Sequence, residues 1–447
     1  MRILLFCLLT ISLSLRATSL PETITPDSLH SATSATVERL LSHCIAEIRL
    51  NHGEAALASF RELFATCSDS LTPDKRATVA TMFAETLSRE GLNEAAHTTI
   101  SHTLENSGDM IAPDTAAGMR TLAKRYSSLA GFTPYGISSD RNLESHIPFS
   151  IVWDNSGTSP SASIATDAAL INNRPVRMTF DTGHRHNLIT DSLATGLGLK
   201  PLLPDTAICD GAYAIANSLR LGDIEMHDVP FRIVSSSDGL RKPTVGCDLL
   251  CKLGDISIDF VNTYITVSPY PAKYSGNQSN MCLSACMTFL APARIGDTET
   301  LVAIDTGHGG YGTVSPSVTA ISTSLPVEAG GGAAIIPEME TAATAGEYGA
   351  TLGIQALMMF GKVRLNLTEM QFTCLSPRMT TTGFGAFPPP SNFDFRKEFY
   401  AGSKPAKEKE SLGERLFPAL IGGAIESLIA PGSNYIENVA NLMFDYE

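Results

Sequence analysis

Basic residues are in deficit: 32 lysines and arginines face 46 aspartates and glutamates, a formal net charge of −14. That balance leaves no cationic surface of the kind phosphate binding needs, which argues against nucleic acid and anionic membrane as partners. The chain also has no Gly-x-Ser-x-Gly elbow, no His-Glu-x-x-His pair and no phosphate-binding glycine loop. Serine hydrolase, zinc peptidase and nucleotide-dependent chemistries therefore have no support in the sequence. Apolar runs are short as well. Ile3 to Leu15 falls below the ~20 residues that span a bilayer. With Arg2 before it and Ala17-Thr18-Ser19 after it, this run has the layout of a signal peptide over residues 1–19. The expectation is a secreted or periplasmic/cell-envelope protein with no membrane span in the mature chain.

What is present is globular: 43% apolar and 17% charged residues in 447, enough for two or three domains. Loss of residues 1–19 removes Cys7 and leaves an even set of cysteines in a compartment that permits disulfides. Cys44 and Cys67 are the pair expected to bridge. The Cys-x-x-x-Cys spacings at 247/251 and 282/286 have no histidine at ligand distance, so no metal is expected there.

Residues 30–145 show apolar spacings of three and four over 36–50, 54–66, 74–90 and 92–104, which predict at least four amphipathic helices. Gly53-Glu54-Ala55-Ala56 and Asn93-Glu94-Ala95-Ala96 open two of them, a helix-turn-helix rhythm similar to a tetratricopeptide-like array. Such a domain offers a docking surface for a partner, or it covers and supports the rest of the chain. The weak repeat favours the second reading. From residue 146 the texture changes to Gly, Ser, Thr and Pro punctuating short Val-, Ile- and Phe-rich runs, the signature of an all-β region. Two β lobes are expected, 146–270 and 271–376, each closing on a hairpin. A compositional linker over 377–411 and a helical tail over 412–447 follow.

Asp-Thr-Gly occurs once per lobe, at Asp181-Thr182-Gly183 and Asp305-Thr306-Gly307, each time after an apolar run and before a histidine, His184 and His308. An apolar-Gly pair follows each copy, Val245-Gly246 about 65 residues on and Leu352-Gly353 about 48 on. Two carboxylates brought together can share one proton, so that one activates water while the other donates to a carbonyl oxygen. The repeat is therefore the feature that carries chemistry.

The stretch from Phe180 to Thr190, and Asn217 to Val234 after it, resemble secreted bacterial retropepsin-like proteins of the pepsin and retropepsin group of aspartic peptidases. That resemblance covers roughly residues 146–376 and implies a bilobal β-barrel fold behind the helical domain. It implies an aspartic-type endopeptidase with Asp181 and Asp305 as the catalytic pair, acting on a peptide or protein substrate as a monomer, without a cofactor. The alternative is an inactive pepsin-like protein that binds a peptide or partner in the cell envelope. By the same resemblance, Thr182 and Thr306 lock the two loops together, and Gly183 and Gly307 let backbone approach the carboxylates. Flap roles fall on Gly211, Ala212 and Tyr213 in the first lobe and on Gly330 and Gly331 in the second. The family usually places Ser, Thr or Ala where this chain has His184 and His308, and both histidines are expected to shape the pH profile. A metal set of Asp181, His184 and His186 has no counterpart in the second copy, which reads His308-Gly309-Gly310.

Overall fold

The computed structural model describes residues 34–138, 142–155, 160–202, 212–236, 242–269, 279–284, 287–342, 348–376 and 379–380. The expected signal peptide, nearly all of the linker and the tail lie outside them, as do Cys209, Gly211 and Cys286. Five helices come first: α1 (Ser34–Arg49), α2 (Gly53–Cys67), α3 (Pro73–Arg89), α4 (Asn93–Ser107) and α5 (Pro113–Leu129). Among the described residues no helix is long and apolar enough to cross a membrane.

After α1, the other four helices form two copies of one unit, α2 with α3 and α4 with α5. In each, a 3-10 turn (Ser68–Ser70, then Gly108–Met110) leads to a buried apolar residue, Leu71 or Ile111, and a proline opens the next helix. Proline at the first helical position loses nothing, because the N–H it lacks has no partner there. Thr72 caps α3 by accepting from the Lys75 amide. Pro113 follows Pro73 by 40 residues, longer than the ~34 of a tetratricopeptide repeat. The rhythm expected from sequence is present, but the unit is larger.

α1 and α2 do not stand alone. Leu40, Leu41, Cys44, Phe60, Leu63 and Cys67 share one apolar cluster with Leu290, Leu301, Ala303 and Tyr348 of the second lobe. Cys44 and Cys67, expected to form a bridge, are both free and buried. Burial pushes the Cys44 thiol up to about 12, so both behave as small apolar core side chains.

The β region is two lobes joined by a shared sheet. In the first lobe the hairpin Ser161–Ile171/Arg174–Phe180 packs beside a second long hairpin, Tyr213–Leu221/Ile224–Val234. The segment Phe231 to Val234, which reads as a separate strand in the sequence, continues the last of these. The second lobe repeats the plan with Phe289–Ile295/Thr298–Ile304 and Thr323–Ala329/Gly332–Glu338. The lobe-closing hairpins meet between them. Asp255–Asp259 pairs antiparallel with Lys362–Asn366, with Ser257 opposite Arg364. The outer strands are Tyr264–Val267 and Gln371–Cys374, and Ser145–Pro148 adds an edge. One apolar cluster runs unbroken from Ile147 to Cys374 through both lobes and this sheet. The β body also starts earlier than residue 146, because Gly136–Ile137 already pairs with Met226 and His227. An N-terminal helical domain followed by a bilobal β fold is thus the architecture.

Candidate active site

Each Asp-Thr-Gly loop leaves the end of a strand whose parallel neighbour holds the aspartate. Phe180 lies beside Val245, and the Asp181 amide donates to the Val245 carbonyl at 2.9 Å. Ile304 lies beside Leu352, and the Asp305 amide donates to the Leu352 carbonyl at 3.0 Å. The apolar-Gly pairs are therefore the shelves on which the two aspartates sit. Their glycines are required by space. A Cβ on Gly246 would lie 2.3 Å from the His186 carbonyl oxygen, and one on Gly353 would lie 2.4 Å from that of Gly310.

The two loops grip each other through a reciprocal set of hydrogen bonds. The Thr182 hydroxyl donates to the Ile304 carbonyl at 2.7 Å and accepts from the Thr306 amide at 2.9 Å. The Thr306 hydroxyl donates to the Phe180 carbonyl at 3.0 Å and accepts from the Thr182 amide at 3.1 Å. Both threonines are 1% exposed, so these four bonds form out of contact with water and leave neither hydroxyl unsatisfied.

That grip brings the carboxylates face to face. The Asp305 side chain is near enough to act directly on the Asp181 carboxyl. A Cβ on Gly183 would lie 2.3 Å from the Asp305 Cγ, and one on Gly307 would lie 2.3 Å from the Asp181 Cγ. Any side chain at either glycine would displace the opposite carboxylate. Amides complete the cradle: Gly183 donates to Asp181 Oδ1 at 2.8 Å, and Gly307 and His308 donate to Asp305 Oδ1 at 2.9 and 3.0 Å. Burial raises both carboxyls. For Asp305, burial and the Asp181 charge, partly offset by His308 and the two amides, push the value up to about 7. A pair this close holds one proton between them over a range of pH.

The histidines occupy the place expected and turn into their own loops. His184 Nδ1 donates to the His186 carbonyl at 3.0 Å, whereas His308 Nδ1 accepts from the Gly310 amide at 3.2 Å. His186 faces Asp248, 3.1 Å away, so Asp181, His184 and His186 are not gathered as metal ligands. Among the described residues no group of three or more His, Cys, Asp or Glu is placed to hold a metal ion.

Two flap assignments need correction. Gly330 and Gly331, with φ of 55° and 78°, make the turn of the Thr323–Ala329/Gly332–Glu338 hairpin. A Cβ on Gly330 would press on Phe372 of the shared sheet at 2.9 Å. Gly222, the turn of the matching hairpin in the first lobe, sits against His146 and Ile147 of that same sheet. Both turns therefore seat the lobes on their floor and do not roof the dyad. Tyr213 also looks elsewhere. Its ring meets His186 edge-on at 5.5 Å and carries the Arg125 guanidinium at 4.6 Å. It lines a cavity of about 900 Å³ between the helical domain and the first lobe, together with Glu85, Arg125 and Arg185 and without either aspartate of the dyad. Ala212 is partly buried against the core and its carbonyl accepts from the Ile233 amide at 2.7 Å.

Sequence reasoning missed the residues that hold the loops from behind. Asn187 is fully buried; its Oδ1 accepts from the Gly246 amide at 3.0 Å and its Nδ2 donates to the Pro230 carbonyl at 3.0 Å. Arg185 pairs with Asp248 and with Glu85 of α3. The signal was a charge two residues past Gly183 facing another two past Gly246, but Glu85 stands 100 residues upstream of Arg185 and nothing local points to it.

Residues 168–248 match the family model described as Aspartyl protease. Among solved structures the chain is similar to a retropepsin-like aspartic protease from Rickettsia conorii, at 20% identity over 30% of this chain and 96% of that one, with a TM-score of 0.20. No curated protein matches. The family match spans the first lobe from its opening hairpin through the Val245-Gly246 shelf to Asp248. The first lobe, with the Asp181 loop inside the matched stretch, is thus similar to an aspartyl protease.

Proposed function

We propose that this chain is an aspartic endopeptidase that acts outside the cytoplasm as a monomer, with Asp181 and Asp305 as its catalytic pair. The observation that supports it most is the dyad itself: two half-buried carboxyls brought face to face by the grip of their loops, one raised to about 7. Such a pair carries a single proton at mildly acidic pH. The ionised member takes a proton from water as that water attacks the peptide carbonyl, and the protonated member donates to the carbonyl oxygen. Return of a proton to the departing nitrogen then breaks the C–N bond. A single chain supplies both loops, so no second copy is needed to complete the pair. The export expected from residues 1–19 belongs to the same reading.

The test is cleavage of a mixed peptide library between pH 3 and 8 by the mature protein, beside Asp181→Asn and Asp305→Asn. Each substitution is expected to lower the rate by roughly 10³-fold or more, since it removes a proton-transfer group from the pair. Cleavage that persists in both variants excludes the dyad. Peptide binding without cleavage by the unaltered protein favours the second reading, a pepsin-like binding protein, for which the unusual His184 and His308 are the motivating observation.

A further inference from the structure

We propose that Glu85 and Arg185 make the helical domain a permanent part of the catalytic unit, holding the loop of Asp181 in position from behind. This rests on the peptidase reading. Arg185 stands two residues past Gly183 and pairs with Glu85 of α3, while its Nε lies 3.4 Å from Asp248. Asp248 in turn pairs with His186, and its amide donates to the Arg185 carbonyl at 2.9 Å. Its neighbour Cys247 donates through its amide to the His184 carbonyl at 2.9 Å and through its thiol to the Thr182 carbonyl at 3.1 Å. The route from α3 to the grip threonine is therefore continuous. Glu85 is fixed on its own side as well, by the Tyr126 hydroxyl at 2.7 Å from its Oε2.

Side-chain exposures of 7% for Glu85, 17% for Arg185 and 14% for Asp248 take this network out of solvent. In spite of burial, Arg185 and then Arg125 pull Glu85 down to about 2, so its charge persists throughout the range in which the dyad shares a proton. A surface ion pair has little positional force, whereas one withdrawn from water leaves an uncompensated charge if either partner moves away.

The second lobe is an internal control. At the position matching Arg185 stands Gly309, whose carbonyl accepts from the Gln355 side chain at 2.9 Å and from the Ala162 amide at 2.8 Å. Gln355 also donates to the Pro160 carbonyl at 2.8 Å. There the first lobe closes the flank with neutral groups from within the β body. On the first lobe's loop, the helical domain has taken over that task. The apolar contact of α1 and α2 with Leu290, Leu301 and Tyr348 keeps the domain docked, so it is neither a removable propeptide nor a detached docking module.

The experiment measures kcat, KM and the pH–rate curve of Glu85→Gln, with Glu85→Asp and Tyr126→Phe beside it and thermal melting as a control. A loop displaced by even a fraction of an ångström is expected to cost kcat roughly 10-fold to 100-fold with KM within about twofold. As the carboxyls separate, the alkaline limb should move to lower pH, because the upper step depends on their contact. Glu85→Asp should recover part of both effects, and Tyr126→Phe should show smaller shifts in the same direction. An active wild type with kcat and alkaline limb unmoved in folded Glu85→Gln overturns this inference alone. If Glu85→Gln fails to fold, Tyr126→Phe decides by the same two readouts. No cleavage by the wild type sinks the peptidase reading and this one with it.

Discussion

The two lobes carry the same motif and solve the same backbone problem, yet they anchor it with different chemistry. Strand, Asp-Thr-Gly loop, apolar-Gly shelf and short helix recur with matching hydrogen bonds, down to Cys247 and Ile354 donating their amides to the carbonyls of His184 and His308. Behind the loop the lobes part. In the first, Arg185, His186, Asp248 and Glu85 form an ionic cluster that spans two domains. In the second, Gly309, Gly310 and Gln355 do the work with neutral bonds inside the β body. The comparison teaches that the contact between the carboxyls tolerates no asymmetry, because each glycine abuts the opposite aspartate, whereas the support behind it is free to diverge.

The largest stability contrast between the lobes is expected at that support. Arg185→Met takes the nearest cation from Glu85 and Asp248, leaving Arg125 and His186 beside them, and should cost about 3–5 kcal/mol in denaturant unfolding. Gln355→Met removes neutral hydrogen bonds and should cost about 1–2 kcal/mol. Equal losses would mean that the ionic cluster does not set the first lobe apart. Where the lobes are equivalent, effects should match: Thr182→Val and Thr306→Val each delete a hydroxyl that both donates and accepts, at about 2–3 kcal/mol apiece. A difference of more than about 1 kcal/mol between them would break the pseudo-symmetry of the grip.

The dyad gives a pH-dependent contrast. Asp305 in the folded chain keeps its proton up to about 7, while the unfolded carboxyl releases it near 3.8, so folded stability falls as pH rises across that window. Asp305→Asn abolishes this dependence and is expected to raise the melting temperature at pH 8 relative to wild type, with little gain at pH 4. The smallest effect concerns the histidines. His308 lowers the Asp305 value, whereas the His184 influence on Asp181 runs through its backbone amide. His308→Ala should therefore move the alkaline limb upward by a fraction of a pH unit, and His184→Ala should leave it in place. Movement in both, or in neither, would refute this asymmetry.

Much of this was legible in the residue order. The doubled Asp-Thr-Gly, the later apolar-Gly pairs and the closing hairpins are local or periodic features, and a repeat displays its own equivalences. The flap assignments to Gly330 and Gly331 failed because a glycine pair marks a turn without saying which surface the turn meets. The expected Cys44–Cys67 bridge failed for a related reason: the two thiols were proximal in sequence, but the helices bury them as core side chains. The period of 40 in the helical domain is present both in Pro73-Asp74 and Pro113-Asp114 and in Glu54-Ala55-Ala56 and Glu94-Ala95-Ala96.

By itself, then, the sequence determined the two acidic loops, the shelves beneath them and the succession of helices by strands, because these follow from spacing and from the backbone preferences of neighbouring residues. Only the tertiary structure decided that the carboxyls touch, that Arg185 finds its partner in α3, and that the helical domain is welded to one lobe's loop and not the other's. Those are contacts across 100 residues or more, set by which faces must be withdrawn from water together, and no local pattern encodes them.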